Sequence, residues 1–276
     1  MKKVFSLILI ALTVFALAAC GGEKKDTADK DGNKTLVVGA SAVPHAEVLE
    51  AAKPLLKEKG IDLKIQVFQD YILPNVALRD KELDANYFQT PGYLDLQMKE
   101  NKDFDFVSVG GIHQEPIGIY SKKYKSLKDL PNGAKIIMSD SFSDHGRILP
   151  IFEKAGLIKL KDGVGANARV EDIVENPKNL DFSNLIEAKL LASSFENGEG
   201  DAVVINTNYA LEGGVDIGKY GIAFEGSDVV PANLVVVRSE DKDRKEIKTL
   251  VEVLHSKEIQ DFIEKEYQGA VIPVSE

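Results

Sequence analysis

Within five residues, Ser143-Asp144-His145-Gly146-Arg147, the chain places the side-chain types of a hydrolytic triad beside a guanidinium able to hold a carboxylate by two parallel hydrogen bonds. A triad depends on geometry, and consecutive residues rarely aim three side chains at one another. No G-x-S-x-G or H-E-x-x-H segment supports hydrolysis, so bond chemistry is not expected. Arg147 remains a candidate binding group, although on sequence alone it reads first as a solvated arginine paired to Asp144 or Glu153. Two asparagines have matching chemistry: Asn206, in Val204-Ile205-Asn206-Thr207-Asn208-Tyr209, and Asn233, in Pro231-Ala232-Asn233-Leu234-Val235. A carboxamide both donates and accepts. Asn206 can equally cap the helix that follows it. Tyr71, Phe88 and Tyr93 read from spacing alone as core aromatics. The histidines His45, His113, His145 and His255 are scattered, and without clustered His and carboxylate ligands no metal centre is expected.

Cys20, the only cysteine of 276 residues, closes an apolar run in Leu17-Ala18-Ala19-Cys20-Gly21-Gly22. Lys2 and Lys3 make a positive start, Val4 to Leu17 an apolar stretch, and small residues precede the cysteine. The run falls short of the roughly 20 apolar residues that a bilayer span needs. It resembles a bacterial lipoprotein signal peptide. That resemblance implies removal of residues 1–19, lipid on the Cys20 thiol, and anchorage at the extracytoplasmic face of the cell membrane, where two or three acyl chains hold stably and one only marginally. No thiol is then left for a disulfide, a nucleophile or a metal ligand.

The elements that must position these groups follow a polar tether. Gly21 to Lys34, GGEKKDTADKDGNK, has the composition of a flexible segment and spans roughly 20 Å as a coil, so residues 20–34 read as a lipid-anchored tether and the folded body is expected from Thr35. The formal charge of -10 becomes about -12 without Lys2 and Lys3, which argues against nucleic acid or an anionic lipid surface as partner. Hydrophobic residues at 44% and charged residues at 28% are a globular balance. From Leu36 onward, short β-rich runs alternate with helical stretches, as in an α/β sheet with helices on its faces. Leu36 to Gly39, Leu63 to Phe68, Phe106 to Val109, Lys135 to Met138, Ala202 to Ile205 and Leu234 to Val237 read as strands. Ala46 to Lys59, Asp144 to Ala155, Ala188 to Glu196, Asn206 to Leu211, Arg244 to Leu254 and Ile259 to Tyr267 read as helices, with another opening at Pro74.

Asp70-Tyr71-Ile72-Leu73-Pro74-Asn75 and Asp84-Ala85-Asn86-Tyr87-Phe88-Gln89 resemble motifs of the substrate-binding lipoproteins of the methionine-uptake family. The likeness continues in order through Glu115-Pro116, Tyr120 to Lys123, Gly156 to Leu160, Asp172-Ile173, Glu175 to Pro177 and Asp201 to Tyr209, covering the chain from Leu36 to Pro273. It implies a two-lobed α/β fold of the periplasmic-binding-protein type (type II), with a ligand cleft between lobes and two crossover segments. Lobe 1 would be 35–116 plus 232–276, and lobe 2 would be 117–231. Arg147 matches the arginine that grips the ligand carboxylate, Asn206 and Asn233 the amides on its backbone, and Tyr71, Phe88 and Tyr93 the wall around its side chain. A thioether suits such a wall, because sulfur against an aromatic ring contributes about 0.3 to 1.5 kcal/mol.

The implied activity is capture of methionine, L-methionine first, by a monomer that delivers it to the permease of an ABC importer. ATP hydrolysis then belongs to a separate subunit, and no cofactor or nucleic acid is implied. Two departures bear on the cargo. Thr90 stands where histidine commonly follows the Phe-Gln pair, and Ser139-Asp140-Ser141-Phe142-Ser143-Asp144 replaces the usual Pro-Asn-Asp run before the arginine. D-methionine, a methionine dipeptide and other apolar amino acids stay open, as do a metal-binding or adhesin lipoprotein.

Overall fold

Ala202, Val203, Val204 and Ile205 are all buried, so the strand they form must lie inside a sheet covered on both faces. The structure, a computed structural model, describes residues 34–226 and 228–274. The leader, Cys20 and the tether up to residue 33 lie outside the described residues. Among those described, no helix is long and apolar enough to cross a membrane.

Strands β1 (Lys34–Ser41), β2 (Ile61–Phe68), β3 (Ala85–Gln89) and β4 (Phe106–Gln114) alternate with helices α1 (Glu47–Glu58), α2 (Leu73–Arg79) and α3 (Pro91–Glu100). There follow β5 (Gly118–Tyr120), β6 (Lys135–Ser139), α4 (Phe142–Lys154), the pair β7 (Lys159–Leu160) and β8 (Ile173–Glu175), and β9 (Asp181–Ile186). Then come α5 (Leu191–Glu196), β10 (Ala202–Ile205), α6 (Thr207–Glu212), α7 (Ile217–Tyr220) and β11 (Gly221–Phe224). The C-terminal part holds β12 (Ala232–Arg238), α8 (Lys245–Leu254), α9 (Lys257–Tyr267) and β13 (Ile272–Pro273).

The strands build two sheets. One has the order β13-β4-β12-β3-β1-β2, with β1 parallel to β2 and β3, and with β12 antiparallel to both its neighbours. The other has the order β11-β5-β10-β6-β9, with β6 parallel to β10 and β9. The chain leaves the first sheet through Glu115-Pro116-Ile117 and returns through residues 225–231. Each sheet carries its own helices, giving the two-lobed α/β architecture that the resemblance implies.

Periodicity explains the layers. Ile247, Leu250, Val251 and Leu254 of α8 repeat at three and four residues and pack with Val48, Leu49, Ala52 and Leu56 of α1 against Leu36, Val38, Val235 and Val237 of the first sheet. In the second sheet the two-residue alternation sorts neighbours to opposite faces. Val204 joins Ile148, Leu149 and Phe152 of α4, while Val203 and Ile205 join Leu191, Phe195 and Tyr209. Segment 85–89 departs from the sequence reading, which stressed its side chains and assigned no strand. It is a central strand, buried at every position, because Asn75, Asn86 and Gln89 satisfy one another's amides at 2.9–3.1 Å, removing the cost of interior polar groups. Helix α4 also opens earlier than the reading, at Phe142 rather than Asp144.

Gly146 lets α4 touch the loop beside it through backbone. A Cβ there would lie 1.9 Å from the carbonyl oxygen of Ala166. Gly146→Ala must displace that loop, and overpacking of this kind costs about 1 to 3 kcal/mol. The expected result is a lower urea midpoint with an unchanged slope.

Candidate binding site

Both sheets direct the C-terminal ends of parallel strands at the cleft, where α/β proteins bind ligands. Tyr71 follows β2, Phe88 and Thr90 end β3, Arg147 lies in the helix after β6, and Asn206 follows β10. Asn233 enters from β12 and Glu115 from the first crossing. All six side chains singled out in the sequence, Tyr71, Phe88, Tyr93, Arg147, Asn206 and Asn233, line one cavity, together with Glu115, Asp144, Asn208 and Thr90.

One wall is aromatic. Tyr71, Phe88 and Tyr93 stand 5.8–6.0 Å apart, centroid to centroid, and Tyr209 of the other lobe approaches Tyr71 to 5.0 Å. Tyr93 donates to the backbone carbonyl of Tyr71 at 2.9 Å, and Tyr71 donates across the cleft to Asn208 Oδ1 at 2.6 Å. Burial, then the fields of Tyr209, Asp144 and Glu115, hold the Tyr71 hydroxyl well above the usual tyrosine range, so it remains a donor.

Arg147 is no surface arginine. Its side chain is 15% exposed, and its partner is neither Asp144 nor Glu153 but Glu225, on the second crossing. Nε donates to Glu225 Oε1 at 3.0 Å, and Nη2 donates to Oε2 at 2.5 Å and to the Glu115 carbonyl at 2.9 Å. Nη1 makes no hydrogen bond among the described residues. Burial pulls the guanidinium down, but Glu225, with Asp144 and Glu115, outweighs it and raises its pKa. Glu153 is occupied elsewhere, accepting the Leu160 N–H at 2.7 Å.

The asparagines divide their roles. Asn206 precedes α6 without a side-chain cap bond, so the capping role that sequence allowed is absent; its Nδ2 lies 3.4 Å from Asp144 Oδ2. Asn233 Oδ1 accepts from His45 Nε2 at 3.1 Å, which turns the amide so that its N–H groups remain for the cavity.

The histidines are not all scattered. His45 and His113 meet at Glu115, all three buried. Tyr87 donates to His113 Nδ1, His113 Nε2–H donates to Glu115 Oε1 at 2.6 Å, and His45 Nε2–H lies 3.3 Å from the same oxygen. A carboxylate only accepts, which sets both imidazoles as Nε2–H tautomers. Two imidazoles and a carboxylate are metal-ligand types, but the 2.6 Å bond leaves no room for an ion between its partners, and His45 Nδ1 has no partner to support ligation. Burial pushes His45 down to about 4, with Glu115 opposing and His113 adding to the fall, and pushes His113 down to about 3. Burial raises Glu115, against the pull of His45, Arg147 and the Asn208 N–H.

Ser143, Asp144 and His145 form no triad. His145 Nε2 donates to the Ser139 carbonyl at 3.0 Å, and Ser143 bonds Ser141. The sequence reading missed Glu115, Asp144, Asn208, Tyr209 and Glu225 as site neighbours. Only Asp144 carried a local signal, standing three residues before Arg147 on one helix face.

Comparisons with known proteins identify the family. The family model for the NlpA lipoprotein matches residues 36–275. The methionine-binding lipoprotein of Bacillus subtilis is 50% identical over the full length of both chains. The D-methionine-binding lipoprotein of Salmonella typhimurium is 38% identical over 98% of this chain and 97% of its own. A nutrient-binding protein from Burkholderia cenocepacia, solved bound to methionine, superposes with a TM-score of 0.81 at 42% identity, covering 86% of this chain and 99% of that one.

Proposed function

The chain belongs to the NlpA lipoprotein family, and from that premise we propose that it is an extracytoplasmic solute-binding lipoprotein that captures methionine, L-methionine first, and delivers it to the permease of an ABC importer. The observation that carries this reading is one cavity holding an oriented guanidinium, carboxamides from both lobes and an aromatic wall. Arg147 Nη1 and the Asn233 N–H groups meet the ligand carboxylate, Asn206 steadies its backbone, and Tyr71, Phe88 and Tyr93 enclose its thioether. The protein binds without changing a covalent bond. It works as a monomer anchored through Cys20, beside a separate ATPase subunit.

Lobe 1, 35–116 with 232–276, and lobe 2, 117–231, close by a hinge at the two crossings. Bonds between the lobes support closure: Tyr71 to Asn208, and Tyr209 to the Gln69 carbonyl at 3.4 Å. A ligand touching both lobes favours the closed form through its differential affinity.

Calorimetric titration of the chain, refolded to strip retained ligand, tests the reading against L-methionine, D-methionine, a methionine dipeptide and other apolar amino acids. Saturable binding is expected, tightest for L-methionine. Preference for another member of the panel reassigns the cargo, and silence across the panel overturns the transport reading.

A further inference from the structure

Three charged side chains border the cavity, and the protein answers two of them. Arg147 is held by Glu225, and Glu115 accepts from His113, has His45 close by and takes the Asn208 backbone N–H. Asp144 is different. It is 7% exposed, yet among the described residues it forms no ion pair, and its one side-chain hydrogen bond is the 3.4 Å contact from Asn206 Nδ2, beyond the usual N–H···O range. A buried carboxylate is costly without a cation or a full set of donors.

The position of that carboxylate names its partner. Asp144 and Arg147 are three residues apart on α4, so their side chains rise from one face about 5 to 6 Å apart at Cβ. Both line the cavity, Arg147 with Nη1 uncommitted. The site thus offers an anion and a cation side by side, the mirror of an α-amino acid, whose ammonium and carboxylate share one carbon. Counting Glu225, three carboxylates here surround one guanidinium, so a ligand bringing only a carboxylate would add to an existing negative excess.

We propose that Asp144 seats the α-ammonium of the ligand and makes the site specific for amino acids whose α-amino group is free and charged. Cargo with an acylated amine, such as an N-acyl amino acid or a peptide ending in methionine, leaves Asp144 facing a neutral amide and is rejected. The inference rests on the functional reading above.

The test is calorimetric titration of the full chain, in mild detergent, with L-methionine, N-acetyl-L-methionine and the desamino analogue 4-(methylthio)butanoate. The desamino analogue adds no bulk, so it separates charge from steric exclusion. Wild type should bind methionine at least about a hundredfold more tightly than either analogue, the scale of stranding one member of a buried charge pair. Asp144→Asn should weaken methionine about tenfold or more while holding the desamino analogue as well as wild type does or better. A merely structural aspartate would weaken both alike. If wild type binds the desamino analogue within tenfold of methionine, or Asp144→Asn weakens both equally, the inference is overturned while the functional reading stands. No binding of methionine by wild type overturns the functional reading and this inference with it. The wild-type comparison can overturn the inference even if the variant does not fold.

Discussion

Arg147→Ala weakens ligand capture by thirtyfold to several thousandfold. Removing one member of a buried, hydrogen-bonded charge pair costs about 2 to 5 kcal/mol, and each 1.4 kcal/mol is about tenfold in Kd. Two losses combine. The ligand carboxylate loses its cation, and Glu225, 3% exposed, is stranded beside the space the guanidinium filled, so that an incoming carboxylate meets a bare negative charge. Arg147→Lys should not restore affinity: one ammonium cannot take both Glu225 oxygens and the Glu115 carbonyl and still reach a ligand. Titration calorimetry reads the binding loss, and a thermal melt without ligand reads the share due to the stranded Glu225. Unchanged affinity in Arg147→Ala would sink the site assignment.

Acid strips several kcal/mol of stability between pH 6.5 and 4. His45 and His113 titrate near 4 and near 3 in the folded chain, against about 6.5 unfolded. Within that window the unfolded state binds more protons, so stability rises with pH and is lost as pH falls. At about 1.4 kcal/mol for each unit of displacement, two such groups make this a major acid sensitivity. Glu115 acts in the opposite direction, since burial raises its pKa and the folded state then takes up its proton first. It offsets part of the loss, while its protonation removes the acceptor that fixes both tautomers. Urea midpoints at pH 7, 6, 5 and 4 measure the slope, and His113→Gln should flatten it. An unaltered slope in that variant would assign the acid sensitivity to other groups.

Much of the architecture is legible in local pattern. The period of Val48, Leu49, Ala52 and Leu56 marks the buried face of α1, and the apolar run 202–205 marks a strand covered on both sides, because burial repeats with the geometry of each element. Strand β3 is not legible that way. The polar Asn86 and Gln89 mask it until Asn75, eleven and fourteen positions away, supplies their hydrogen bonds. The pair His45 and His113 was likewise invisible, since the turn that follows β1 and the end of β4, with β3 and β12 between those strands, meet only in the folded first sheet.

The amino-acid sequence by itself determined the alternation of strands and helices, the family to which the motifs belong, and six side chains suited to one ligand. Residue type and short-range spacing suffice for the elements, which depend on neighbours a few positions apart, whereas the six side chains follow only from the resemblance: spacing alone reads Tyr71, Phe88 and Tyr93 as core and Arg147 as a solvated arginine. The tertiary structure alone decided which charges meet. Arg147 finds Glu225 across 78 positions, and Asn233 finds His45 across 188. Such pairings are set by how two sheets are wound and hinged, and their energies depend on separations of a few ångströms that no local period encodes. Asp144 shows the same limit from the other side: that it is buried, lines the cavity and forms no ion pair among the described residues follows from the folded cleft and not from its place in the chain.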